Sequence, residues 1–169
     1  IADDPAARAL FLFPTKALGR DQLAEIREIG GLADLELEAD VYDGDTPAGI
    51  RSRIRAAGQV VVTNPDMLHA AILPHHTAWF QLFEQLRYVV VDEAHGYRGI
   101  FGSHVANVLR RLARICAHYG SRPRIVCCSA TIGNPAELGE LLIGRPLRVI
   151  DRNGAPTAEK HVVVLDPPV

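Results

Sequence analysis

The sequence predicts an α/β domain built on a mostly parallel sheet, and three observations lead there. Short apolar runs rich in β-branched residues alternate with longer segments of helical period. The runs hand over to polar, Gly- or Pro-containing tails of the kind that leave a strand for a loop. A chain of 169 residues with 48% hydrophobic content is enough for one domain with a real core, and too little for two.

Leu10 to Pro14 is the first expected strand. Lys16 to Ile29 follows as a helix, with Leu18, Leu23, Ile26 and Ile29 spaced for one buried face and Gly30-Gly31 as its stop. Leu35 to Tyr42 is the next strand, and Pro47 to Ala57 is a helix with proline in its first turn. Gln59 to Thr63 is a strand; Asn64 and Pro65 cap and open a helix through Leu73, and Trp79 to Leu86 makes another. Tyr88 to Asp92, reading Tyr-Val-Val-Val before its aspartate, is expected to be covered on both faces. Ser103 can cap a helix to about His118 whose inner stripe is Val105, Val108, Leu109, Leu112 and Ile115. Arg124 to Ser129 is a strand, Asn134 to Ile143 a helix, Leu147 to Ile150 a strand, Asp151 to Ala158 a loop, and His161 to Leu165 a last strand.

A formal charge of −2 supplies no bulk positive field for nucleic acid, so any such binding must come from local groups. Cys116, Cys127 and Cys128 are odd in number and lack metal-ligand spacing, so they read as reduced core residues. Nor do the histidines show ligand spacing. There is no apolar run of membrane-spanning length and no secretory signal pattern, which suggests a cytoplasmic protein, nucleoid-associated if it handles DNA. With Met67 as the only methionine, the sequence reads as part of a longer product.

Asp92-Glu93-Ala94-His95 directly follows the Tyr88 to Val91 run. Ligands of open parallel sheets sit beyond the carboxyl ends of the strands, so two carboxylates there face a site. An aspartate so placed can hold Mg²⁺ on nucleotide phosphates, and the next glutamate can orient or deprotonate the attacking water. An acidic strand-to-loop junction on an ordinary surface is the other reading of the same four residues.

Other strand ends carry motifs too: Pro14-Thr15-Lys16-Ala17-Leu18, Tyr42-Asp43-Gly44-Asp45-Thr46, Thr63-Asn64-Pro65-Asp66-Met67 and Ser129-Ala130-Thr131. With Asp92 to His95 they resemble, in order and spacing, motifs Ia, Ib, Ic, II and III of superfamily-two helicases. Asp92 to His104, Val108 to Leu112, Ile132 to Gly139 and Asn153 to Pro156 further resemble the Hrq/MrfA (YprA-type) branch of DNA helicases, and the resemblance covers nearly the whole chain. It implies a RecA-like P-loop NTPase-type domain with helices on both faces of its sheet, ATP and Mg²⁺ as cofactors, 3′-to-5′ movement on single-stranded DNA or DNA with a single-stranded tail, and work in DNA repair. A second RecA-like domain of the same chain would be the partner.

On that resemblance Asp92, which would hold Mg²⁺, Glu93 and His95 are the catalytic candidates, with Ser129 and Thr131 coupling hydrolysis to movement through a hydroxyl bonded to Asp92 or His95. Pro14, Thr15, Lys16, Gly44, Arg51, Thr63 and Asp66 would line the DNA. Hydroxyls, one ammonium, a bare glycine N–H and two helix starts can grip phosphates without reading bases. Each of these residues also has an ordinary use: Pro-Thr and Asn-Pro-Asp start helices, Gly-Asp-Thr-Pro makes a turn, Arg51 and Arg55 share a solvated helix face, and Ser129 or Thr131 can cap the following helix. No Gly-x-x-x-x-Gly-Lys-[Ser/Thr] occurs, so the Walker A strand and helix are absent, residues 1–169 read as one partial domain, and the segment alone is expected to be inactive. An RNA helicase of the same superfamily and a non-hydrolysing nucleic-acid-binding module are the alternatives.

Overall fold

A computed structural model describes residues 4–151 together with 154, 159 and 161. Five parallel strands form its sheet: β1 (Arg8–Leu12), β2 (Ala39–Val41), β3 (Val60–Thr63), β4 (Leu86–Val91) and β5 (Arg124–Cys127), in the spatial order β2-β3-β1-β4-β5. In register, Leu10 lies beside Val61 on one side and Val89 on the other, and Val89 beside Ile125. The helices are α1 (Lys16–Leu32), α2 (Ala48–Ala57), α3 (Pro65–Met67), α4 (Phe80–Glu84), α5 (Gly99–His118) and α6 (Pro135–Ile143). α3 runs on through a π-helical turn, Leu68–Ile72, and a 3₁₀ segment, Leu73–Trp79, into α4. This is the expected α/β sheet.

Two apolar layers flank the strands. On one face Leu10, Leu12, Val61, Val89 and Val91 meet Trp79, Phe83, Leu109 and Leu112. On the other, Ala9, Phe13, Val60 and Val62 meet Leu23 of α1, with Ile26 partly buried. The stripe expected on α5 is buried through Leu112 and half-buried at Ile115, whereas Ile29, expected inside α1, is 65% exposed.

Several boundaries need correction. Gly30 and Gly31 do not stop α1, which continues to Leu32. Gly30 instead admits the returning chain, since a Cβ there would lie 2.7 Å from Leu37 Cδ1. Residues 35–38 are spent on that return, so β2 is only three residues long. α5 begins at Gly99, whose φ of 57° suits glycine, and Ser103 donates from inside it to the Gly99 carbonyl. No strand forms over 147–150, where Ile150 is 81% exposed. The expected strand from His161 to Leu165 lies outside the described residues, as does most of the loop before it. Finally, among the described residues β4 is covered on one face only: Tyr88 is 46% exposed and Val126 of β5, which pairs with Val90, is 44% exposed, because α1 lies over β2 and β3. Among the described residues no helix is long and apolar enough to cross a membrane.

Candidate functional site

Because all strands run the same way, their carboxyl ends deliver five loops to one end of the sheet. Beyond β4, the Asp92 N–H still donates to Leu12 O at 3.0 Å, which anchors this half-buried aspartate to the ladder. Glu93 then turns with φ 53° and ψ 38°, in the left-handed region. For a side chain other than glycine this costs on the order of 1–3 kcal/mol and is characteristic of residues whose aim matters. The 3₁₀ turn Ala94–Gly96 closes the loop, with Ala94 N–H donating to Cys128 O of the neighbouring loop at 2.9 Å.

That turn carries His95 across to the Ser129–Thr131 loop. Its Nδ1 accepts from the Ala130 N–H at 3.2 Å and lies 3.2 Å from Glu93 Oε2. The two contacts exclude each other as hydrogen bonds: an Nδ1 that accepts carries no proton to give to Glu93. The Ala130 N–H is aimed at the ring, so Nδ1 is the acceptor in this arrangement.

The link between the second and third motifs therefore runs through backbone, in place of the expected hydroxyls. Ser129 Oγ donates to Ala130 O at 2.8 Å, and neither Ser129 nor Thr131 is hydrogen-bonded to Asp92 or His95. Both are exposed. Neither caps α6, whose N-cap is Asn134. Among the described residues no three His, Cys, Asp or Glu side chains group as metal ligands. Mg²⁺ needs no such cage: one carboxylate oxygen, water and nucleotide phosphates suffice, and Asp92, fixed at the strand end, fits that demand.

On the other side of β1 the structure joins Pro14, Thr15 and Lys16 to the Gly44 turn. All four residues are exposed. Thr15 Oγ1 caps α1 by accepting from Leu18 N–H at 3.3 Å, which leaves its own proton free to donate. Lys16 Nζ is paired with Asp45 at 2.9 Å, and a Cβ on Gly44 would sit 3.6 Å from that ammonium. The pairing, with Arg20 adding to it, holds the Asp45 carboxyl below its ordinary range.

The turn itself is organised by Asp43, quoted in its motif but given no role of its own by the sequence, and by Arg51, expected on the DNA. Asp43, 2% exposed, accepts from Asp45 N–H at 2.8 Å and from Thr46 Oγ1 at 3.1 Å, and pairs with Arg20 at 3.2 Å. Arg51 is a clamp: it donates to Thr46 O, Asp43 O and Gly44 O at 2.8, 2.9 and 3.0 Å, 5.5 Å over the Tyr42 ring. Its face is neither the solvated one nor, with these donors committed, a free phosphate contact. An Asp-Gly-Asp-Thr run was the available signal, because such side chains bond their own turns.

Thr63 is a plain correction. It is 4% exposed and donates to Tyr42 O at 2.7 Å, so its hydroxyl is turned inward and presents nothing to a phosphate. Nor is it the helix cap, since Asn64 Oδ1 accepts from Met67 N–H at 2.8 Å. Asp66 is exposed. Of the cysteines only Cys116 is fully buried; burial pushes its thiol and that of Cys127 up to about 11, while Cys128 is exposed, against the core reading.

Comparison with known proteins fits this arrangement. The DEAD/DEAH box helicase profile matches residues 2–138. The chain belongs to the DEAD/DEAH box helicase family. It is 59% identical over its full length to the ATP-dependent helicase YprA of Bacillus subtilis and 42% identical over 98% of its length to the ATP-dependent helicase HRQ1 of Saccharomyces cerevisiae. It spans 23% and 16% of those relatives. Superposed on 22% of the helicase MrfA bound to DNA and AMPPNP, 92% of this helicase-family chain aligns at a TM-score of 0.90 and 60% identity. The sheet is thus of the RecA-like helicase kind, in the branch that holds these relatives.

Proposed function

We propose that these residues form part of the motor of an ATP-dependent DNA helicase or translocase. The observation that carries the reading is the single sheet end at which a strained Asp92-Glu93 loop, tied by His95 to Ala130, lies one strand away from the exposed Thr15, Lys16 and Gly44 cluster. In this role Asp92 holds Mg²⁺ on the nucleotide and Glu93 orients the attacking water; the metal, when bound, neutralises charge building on the phosphates. His95, by accepting from Ala130, makes the position of the Ser129–Thr131 loop depend on the Glu93 turn. Pro14, Thr15, Lys16, Gly44 and Asp66 line the single strand. The phosphate cradle and a second RecA-like domain belong to other parts of the parent protein, the 169 residues being one partial domain. Movement is 3′-to-5′, the task DNA repair, and the location cytoplasmic. The DNA and AMPPNP named with MrfA support the choice of polymer and nucleotide.

The test is ATP turnover by the parent protein with Mg²⁺, alone and with single-stranded DNA or RNA of equal length. Stimulation by DNA well above that by RNA is expected. Equal or greater stimulation by RNA would favour the RNA helicase reading, and no turnover in any mixture would favour a binding module.

A further inference from the structure

Lys16, the cation expected to grip DNA, is already occupied without it. Its Nζ lies 2.9 Å from Asp45 Oδ2, and Arg20, one helical turn further along α1, brings Nη2 to 3.4 Å from the same oxygen. One carboxylate oxygen thus holds two cations from one helix face. All three side chains reach solvent, that of Asp45 at 61% exposure. Arg20 has a second partner of another kind, since its Nη2 is also 3.2 Å from Asp43 Oδ2, on a side chain only 3% exposed.

The buried and the exposed acid differ in what holds them. Asp43 is fixed from within, its Oδ1 accepting from the Asp45 N–H and the Thr46 hydroxyl, so it keeps Arg20 aimed whatever happens outside. The Asp45 backbone is held by that same 2.8 Å bond, whereas the partners of its carboxylate among the described residues are Lys16 and Arg20 alone. The side chain can therefore swing away without unmaking the turn. An exposed ion pair contributes little, and a strand phosphate offers several oxygens to the same two donors while setting counterions free as it binds. Carboxylate and phosphate compete for one place.

We propose that Asp45 is a stand-in for a backbone phosphate, occupying Lys16 and Arg20 until DNA displaces it, and that Arg20 is a second phosphate-binding residue of the track. This rests on the function proposed above and concerns the strength of its grip. A motor that moves along a strand has to let go of every phosphate it holds. An acid beside the cations gives them a replacement partner as the phosphate departs, so release leaves no bare charge. Gly44 keeps the ammonium approachable from the side of the turn, where even a Cβ would sit 3.6 Å from Lys16 Nζ.

The experiment uses the full-length parent protein and Asp45→Asn, which keeps the size of the side chain and removes its charge. Affinity for unrelated single strands, read by fluorescence anisotropy at low salt, should rise at least about threefold, as expected when an exposed ion pair no longer has to be broken. The melting temperature should be retained. In a Lys16→Ala background the same substitution should gain clearly less, because one of the two cations it frees is gone. Arg20→Gln, added to Asp45→Asn, should lower the log-log salt slope by roughly 0.7, the share of one single-strand phosphate, and Arg20→Lys should keep it. Unchanged or weaker binding by Asp45→Asn overturns the proposal. So does a lowered melting temperature, which would make Asp45 a brace of the turn, or a gain undiminished without Lys16, which would make it a distant charge. A salt slope indifferent to Arg20→Gln, or lowered equally by Arg20→Lys, overturns the place given to Arg20. A wild-type protein that binds no single-stranded DNA defeats the underlying function instead, before any variant is compared.

Discussion

Replacing Thr63 by valine separates a structural from a DNA-binding use of that position more sharply than any other single change. Valine keeps the β-branched shape that the end of β3 accommodates and deletes only the hydroxyl. In the structure that hydroxyl makes a 2.7 Å bond to Tyr42 O in a site 4% exposed. Its loss removes one buried hydrogen bond and withdraws a partner from a carbonyl, together about 1–3 kcal/mol. With a urea m-value of about 2 kcal/mol/M for a domain of this size, the unfolding midpoint should fall by roughly 0.5–1.5 M at unchanged slope. Affinity for single-stranded DNA, read by fluorescence anisotropy on the parent protein at fixed salt, should stay within about twofold, because Tyr42 and Arg51 still hold the turn from its other side. A large loss of affinity with an unmoved midpoint would refute the inward assignment and return Thr63 to the phosphate track.

Lys16→Ala should weaken binding to unrelated single strands about equally and reduce the log-log salt slope by roughly 0.7, one phosphate contact's worth. Sequence-dependent losses, or an unchanged slope, would place Lys16 off the backbone. Glu93→Gln in the parent protein should abolish ATP turnover while nucleotide binding survives, and Asp92→Ala should weaken Mg²⁺-nucleotide binding as well; normal turnover in Glu93→Gln would show another group activating the water. The folded-state pKa of Asp45 lies below its ordinary value, so whatever stability its pairing adds is in place above that ordinary value and disappears as pH falls through the depressed one. Carboxyl NMR titrations of wild type and Lys16→Ala should differ in that direction, and identical titrations would remove Lys16 as the cause.

The parallel sheet was readable because apolar runs such as Val60 to Val62 and Val89 to Val91 occur with loop-forming tails, and parallel order then brings their ends together. What escaped reading was direction at the scale of one side chain. Nothing in Thr-Asn-Pro-Asp tells which of two hydroxyl-bearing or amide-bearing neighbours turns inward; that depends on Tyr42 O arriving from β2, 21 positions away in sequence. Arg51 looked like a free cation because its acceptors are backbone carbonyls, which composition does not display. The same holds for the Ala130 N–H, a donor every residue but proline owns. Gly30 misled by its helix-breaking habit, when the deciding fact was how close Leu37 comes.

The half-bare sheet has a practical consequence for anyone handling the 169-residue chain. Among the described residues Tyr88 and Val126 leave apolar surface bare on and beside β5, one of the two edge strands of the described sheet, blunted by its four-residue length and by Arg124. Dyes that light up on exposed apolar surface will bind this surface in the fully folded molecule, so their fluorescence does not by itself diagnose a loosened or partly melted state.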